Sequence, residues 1–182
     1  GIDTIDAASG NDIVTGGAGN DILTGGAGND IVTGGAGNDA LTMEAGTDNY
    51  DAGAGNDTIA ATTQLTSADT LAGGAGTDTL TLSTGTIDLD FTNVTGIEKL
   101  AVGTVGSYTL GALAQAAGIT TVTTIDGANT VSASAYTVAL TVDMKASDGD
   151  TDTATTGSGD DIFIWDGTTG LGAADIISAG TG

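Results

Sequence analysis

Seven aspartates, Asp3, Asp12, Asp21, Asp30, Asp39, Asp48 and Asp57, stand at intervals of nine residues. Carboxylates at a fixed spacing can move protons or hold a cation. Histidine and cysteine are both missing from the sequence, and the serines and threonines have no recognisable base other than these carboxylates. Acid–base and nucleophilic catalysis therefore lack their usual components, and no enzyme activity is expected. The charge balance favours a cation: 24 acidic residues face only Lys99 and Lys145, and the net charge is −22. A regular acid array needs counter-charge, and divalent cations are its simplest source. The same balance leaves no basic patch for nucleic acid.

The acids are carried on a repeat. Gly16 to Thr24 (GGAGNDILT), Gly25 to Thr33 (GGAGNDIVT) and Gly34 to Thr42 (GGAGNDALT) are almost identical. Two residues after each aspartate comes Ile5, Val14, Leu23, Val32, Leu41, Tyr50 or Ile59. The six-residue glycine-rich half must turn sharply, which glycine permits because positive φ costs it little. The other three residues form a short strand whose central side chain points inward. Two repeats, 18 residues, close one coil with a turn on each edge, and stacked coils lie ~4.8 Å apart. The 3% aromatic content, the 32 glycines and the lack of proline suit narrow, layered β structure. The fold class expected is all-β, a parallel β-roll or β-solenoid.

Stacking places Asp3, Asp21, Asp39 and Asp57 along one edge and Asp12, Asp30 and Asp48 along the other. Carboxylates one strand spacing apart repel unless a cation lies between them. Calcium takes six to eight oxygens at about 2.3–2.6 Å, from carboxylates and carbonyls. Aspartates 18 residues apart define five candidate sites, 3/21, 12/30, 21/39, 30/48 and 39/57. Met43 and Glu44 replace the glycine pair before Asp48, so the 30/48 site is either weakened or uses the Glu44 carboxylate.

Over Gly1 to about Ala60 the pattern G-G-x-G-x-D-x-U-x resembles the RTX (repeats-in-toxin) family of secreted bacterial proteins. The resemblance implies a right-handed parallel β-roll that folds on binding several calcium ions, outside the cell or on the bacterial surface. Carried over, it makes the aspartates bridging ligands. It adds backbone carbonyls such as those of Gly16, Ala18, Gly25, Ala27, Gly34 and Ala36.

Three regions follow. In residues 1–81 the repeat stutters after Ala60 and resumes with Asp69 and Asp78, giving further candidate pairs 48/69 and 57/78. Residues 82–146 are rich in Thr, Val and Ala and read as a calcium-poor β-solenoid extension, with an inserted sandwich as the alternative. Leu110 to Ala117 reads as a short helix ended by Gly118. The phrase Phe91 to Leu100 is similar to segments of surface-layer and adhesin-type RTX proteins. In residues 147–182 calcium-type spacing returns at Asp152, Asp161 and Asp175. The numbering starts inside a repeat and the chain stops in mid-turn, as expected of a segment cut from a longer protein. No signal peptide and no membrane-inserting stretch is legible.

Other signals read more plainly. G-x-G-x-x-G-like strings lack the long helix of a dinucleotide site. Asp148, Asp150 and Asp152 read as a polar or calcium-binding turn rather than a glycosidase pair. Glu98 and Lys99 read as a solvated face, and Trp165 as a packing residue. Ile13, Ile22 and Ile31 should point outward and offer lateral contacts to copies of the chain or to neighbouring repeats. Thr15, Thr24, Thr33 and Thr42 read as ordinary outward threonines. The function expected is a calcium-dependent structural module of a surface layer, filament or adhesin. The alternatives are the export-assisting tail of a secreted enzyme or toxin, and an ice- or carbohydrate-binding module.

Overall fold

The computed structural model describes residues 1–61, 65–82, 87–88, 91–145, 150–165 and 175–181. Every strand pair among them is parallel. The strands form three sheets, and the chain winds from one to the next as a β-solenoid.

The first sheet has nine strands and runs the length of the molecule: Thr4–Asp6, Ile22–Thr24, Ala40–Met43, Thr58–Ala61, Thr79–Leu82, Lys99–Val102, Thr121–Thr123, Thr141–Met144 and Ile162–Trp165. The second sheet holds Ile13–Ala18, Ile31–Ala36, Asn49–Ala54, Thr70–Ala75 and Val94–Thr95. The third holds Ile87–Asp88, Ser107–Thr109, Thr130–Ala133, Thr153–Thr156 and Ile176–Ser178.

The coil length changes along the stack. The pairs Thr4↔Ile22, Ile22↔Ala40 and Ala40↔Thr58 are 18 residues apart. Thr58↔Thr79, Thr79↔Lys99, Lys99↔Thr121, Thr121↔Thr141 and Thr141↔Ile162 are 21, 20, 22, 20 and 21 apart. Beyond Leu82 the coils gain a third side. Up to Leu82 the chain alternates between the first and second sheets. Beyond it, the third sheet supplies one side and the other is filled first by Val94–Thr95 and then by the helix Ala112–Ala117, which packs on that strand. Gly118 ends the helix at φ 107°, its N–H returning to the carbonyls of Ala114 and Gln115. The continuous parallel first sheet excludes an inserted sandwich.

Inward positions stack in register. Leu23, Leu41, Ile59, Leu80, Leu100, Val122 and Val142 form one buried column. Val14, Val32, Tyr50, Leu71 and Val94 form another. Ile13, Ile22 and Ile31 face outward, 79, 50 and 46% exposed, as period-two alternation requires.

The strands of the second sheet are longer than the sequence pattern implies. The first four run six residues, through the glycine pair or, in Asn49–Ala54, through Ala52-Gly53. The turn backbone itself stacks in register, Gly17 on Gly35 and Ala18 on Ala36. Side chains would hold the turns apart. Gly19, Gly28, Gly37, Gly55 and Gly76 have φ between +135° and +147°, and a Cβ at Gly37 would collide with the carbonyl oxygen of Gly19. Gly37→Ala is expected to destabilise the folded chain by about 1–3 kcal/mol. In a calcium titration followed by circular dichroism, the folding midpoint should move to higher calcium.

Candidate metal centre

Each turn delivers an aspartate to the same place. The N–H of Asp3 donates to Asp21 Oδ1 (2.7 Å), Asp21 to Asp39 (2.8 Å), Asp39 to Asp57 (2.7 Å) and Asp57 to Asp78 (2.8 Å). On the other edge Asp12 donates to Asp30 (2.9 Å), Asp30 to Asp48 (3.0 Å) and Asp48 to Asp69 (2.9 Å). All the expected pairs are thus joined, including 48/69 and 57/78 across the 21-residue coil. Asp21, Asp30, Asp39, Asp48, Asp57, Asp69 and Asp78 are buried, Asp12 is half-buried and Asp3 is exposed.

From Asp21 to Asp78 one carboxylate oxygen of each aspartate is therefore satisfied. Oδ2 of Asp12, Asp21, Asp30, Asp39, Asp57 and Asp78 is buried without a hydrogen-bond partner. A buried anionic oxygen with no donor is costly unless a cation meets it. Burial, opposed in part by the N–H each accepts and reinforced by neighbouring carboxylates, raises the carboxyl groups of Asp48, Asp57 and Asp78 above their ordinary range.

The surroundings are oxygen-rich. A Cβ on Gly16 would stand 2.6 Å from Asp21 Oδ2 and 2.8 Å from the Gly34 carbonyl oxygen. A Cβ on Gly34 would stand 2.6 Å from Asp39 Oδ2 and against the Ala52 carbonyl. The glycine leaves a cradle that a side chain would fill, bordered by a carboxylate of its own turn and a carbonyl of the next. This donor set fits calcium, which accepts carboxylate and carbonyl oxygens in flexible number. Among the described residues no three His, Cys, Asp or Glu side chains converge, because each turn contributes one carboxylate per edge. The carbonyls of Ala18, Ala27 and Ala36 each accept one N–H from the preceding coil, from Gly1, Gly10 and Gly19. A second lone pair remains on each.

The two edges differ. At Asp69, Oδ2 accepts the N–H of Thr66 (2.8 Å) and its hydroxyl (3.0 Å), so the inserted turn satisfies that oxygen internally. At the 30/48 pair Met43 turns into the core and Glu44 is exposed. The oxygen nearest the Gly25 cradle belongs to the Tyr50 hydroxyl, 2.6 Å from where a Cβ would stand, with Asp30 Oδ2 at 2.8 Å. That hydroxyl donates to the Thr42 carbonyl (2.7 Å).

Later coils keep the ladder with altered chemistry. Asp78 donates to Glu98 Oε2 (2.8 Å), so half-buried Glu98 is a rung of the ladder and not the solvated face expected of it. Lys99 beside it is exposed. On the third sheet Asn129 donates to Asp152 Oδ1 (2.7 Å) and Asp152 to Asp175 Oδ1 (2.9 Å). On the first sheet Leu140 donates to Asp161 Oδ1 (2.9 Å). Asp152 and Asp161, nine apart, thus lie on different edges. Burial, opposed by the Asn129 N–H and reinforced by Asp175, Asp150 and Asp126, raises the Asp152 carboxyl. Asp148 lies outside the described residues, so its place beside Asp150 and Asp152 is not part of this geometry. Trp165 packs half-buried against the core.

An outer asparagine ladder escaped the sequence reading. Asn29, Asn38 and Asn56 donate their N–H groups to the side-chain oxygens of Asn11, Asn20 and Asn38 at 2.8–2.9 Å. The signal was in the same nonapeptide, as the residue preceding each aspartate.

The model of the RTX calcium-binding nonapeptide repeat matches residues 1–32, 24–59 and 65–86. Residues 1–59 and 65–86 are thus similar to RTX calcium-binding repeats. Curated proteins and solved structures returned no match. The paired aspartates and glycine cradles lie within the matched RTX segment, whereas Glu98, Asn129, Asp152, Asp161 and Asp175 lie beyond it. No helix among the described residues is long and apolar enough to cross a membrane.

Proposed function

We propose that this chain is a calcium-dependent structural module of an extracellular surface-layer, filament or adhesin protein, with no catalytic role. The supporting observation is the row of buried, partnerless Oδ2 atoms, of which those of Asp21, Asp30, Asp39 and Asp78 lie beside a glycine cradle. The backbone N–H bonds fix one oxygen of Asp21, Asp30, Asp39, Asp57 and Asp78 and leave the other for the metal. Asp21, Asp39, Asp57 and Asp78 serve one edge, and Asp12, Asp30 and Asp48 the other. Asp152, Asp161 and Asp175 form a second, sparser group. Carbonyls of Gly16, Ala18, Gly25, Ala27, Gly34 and Ala36 complete the shells. Bound calcium supplies the positive charge that lets the carboxylates stack.

Assembly follows from the outer faces. Ile13 and Ile31 stand side by side in register on one face and Ile22 projects from the other. Exposed aliphatic rows support contact with neighbouring copies or repeats. The chain is expected to gain β signal on calcium addition and then to scatter light as larger species. The combined Ile13→Ser, Ile22→Ser and Ile31→Ser variant should fold at the same calcium concentration and remain monomeric. A wild-type chain that folds in calcium but stays monomeric at every concentration tested would remove the assembly reading and leave the calcium module alone.

A further inference from the structure

Glu98 lies beyond the RTX match, which ends at residue 86, yet it occupies the next rung above Asp78. The register Leu71↔Val94 and Ala72↔Thr95 brings Gly73 level with Gly96. At the far end of the turn, the Asp78 carbonyl accepts the N–H groups of Glu98 (3.2 Å) and Lys99 (3.0 Å). The lower turn covers this distance with six residues, GGAGTD, and the upper with three, GIE. The shorter path carries fewer carbonyls, and the longer side chain of Glu98 reaches back to the aspartate position. Its Oε2 accepts the Asp78 N–H, as an aspartate oxygen does at every rung below.

Three oxygens converge there. Asp78 is fully buried, and its Oδ2 has no hydrogen-bond partner. A Cβ on Gly73 would stand 2.8 Å from that oxygen and would collide with the Gly96 carbonyl. The Glu98 carboxylate is held on the next coil by the Asp78 N–H. With both carboxyl groups ionised none of these oxygens has a proton to offer the others, and a cation would satisfy all three together.

We propose that Asp78, Glu98 and the Gly96 carbonyl form an additional divalent-cation site, of calcium's size and ligand preference, that caps the aspartate ladder one coil beyond the RTX repeats. The inference rests on the calcium reading of those repeats. Glutamate takes the role of aspartate because the turn beneath it is cut by three residues.

The test is bound calcium per chain, measured by equilibrium dialysis on the full chain, with circular dichroism on the same samples. Glu98→Gln keeps an acceptor for the Asp78 N–H and removes only the charge. It is expected to bind one calcium fewer than wild type, and Glu98→Asp, which keeps the charge, to bind more than Glu98→Gln. An unchanged count in Glu98→Gln overturns the site. If Glu98→Gln loses its β signal in calcium while Glu98→Asp keeps it, charge at this rung is required and the proposal stands. If both lose it equally, the rung serves shape alone and the proposal falls. A wild-type chain that binds no calcium would defeat the underlying reading instead, and that outcome is visible before any variant is made.

Discussion

Chelating calcium at neutral pH should remove most of the far-UV β signal of this chain, and magnesium should not restore it. Seven aspartates between Asp21 and Asp78 are buried in two columns, and the chain carries a net charge of −22. Two carboxylates one strand spacing apart repel by roughly 3 kcal/mol at an effective dielectric near 20. Several such pairs rival the whole stability of an ordinary domain, about 5–15 kcal/mol. Calcium reverses the sign at each rung, and free calcium at a hundred times its dissociation constant adds about 2.7 kcal/mol per site. Magnesium is smaller, demands octahedral geometry and gives up water reluctantly, so carbonyls spaced by stacked coils suit it poorly. The measurement is circular dichroism in chelator, then in excess calcium or magnesium. An intact β signal in chelator would mean that the hydrophobic columns alone hold the coils.

Where the period is constant, a single nonapeptide contains the whole geometry. The aspartate, the inward residue two places on and the glycine at positive φ recur every nine residues, so coil length, edges and core column can be read without coordinates. Ile5, Val14, Leu23, Val32, Leu41, Tyr50 and Ile59 all take inward positions on that basis. Beyond Leu82 the period drifts between 20 and 22 residues on the first sheet, because a third side is added to each coil. A fixed-spacing argument then loses its phase, although the alternation within each strand survives.

The site residues missed in the sequence have the same origin. Gly96-Ile97-Glu98-Lys99-Leu100 and Gly127-Ala128-Asn129-Thr130-Val131 repeat the order glycine, spacer, polar ligand, spacer, inward residue. Only the residue at the rung has changed, from aspartate to glutamate or asparagine, so a search for aspartate alone passes over them. Tyr50 illustrates a different limit. Its inward position was legible, but its hydroxyl reaches the Gly25 cradle and the Thr42 carbonyl on a turn where Met43 and Glu44 replace the glycine pair. That is a tertiary contact.

Acid should do part of calcium's work. Burial, followed by the opposing backbone bonds and then by carboxylate neighbours, raises the carboxyl groups of Asp48, Asp57, Asp78 and Asp152 in the folded state. Asp48 faces Asp30 and Asp69, Asp57 faces Asp78, Asp39 and Asp51, Asp78 faces Glu98, and Asp152 faces Asp175, Asp150 and Asp126. A raised folded-state value means that the native chain binds protons more tightly than the unfolded chain. Stability therefore rises as pH falls through the folded values, is fully gained below the unfolded value near 3.8, and is lost again as pH rises. In chelator the chain should gain β signal on acidification from pH 7 toward about 4, at a concentration low enough to avoid precipitation near its isoelectric point. With calcium present, the same protons compete for the ligands, so apparent calcium affinity should weaken over that window. The combined Asp48→Asn, Asp57→Asn, Asp78→Asn and Asp152→Asn variant imitates the protonated state at neutral pH. In chelator it should show more β signal than wild type and a smaller response to acid, and it should gain less from added calcium because four ligands are gone. A variant with no more β signal in chelator than wild type would mean that burial and repulsion of these carboxylates do not limit folding without the metal.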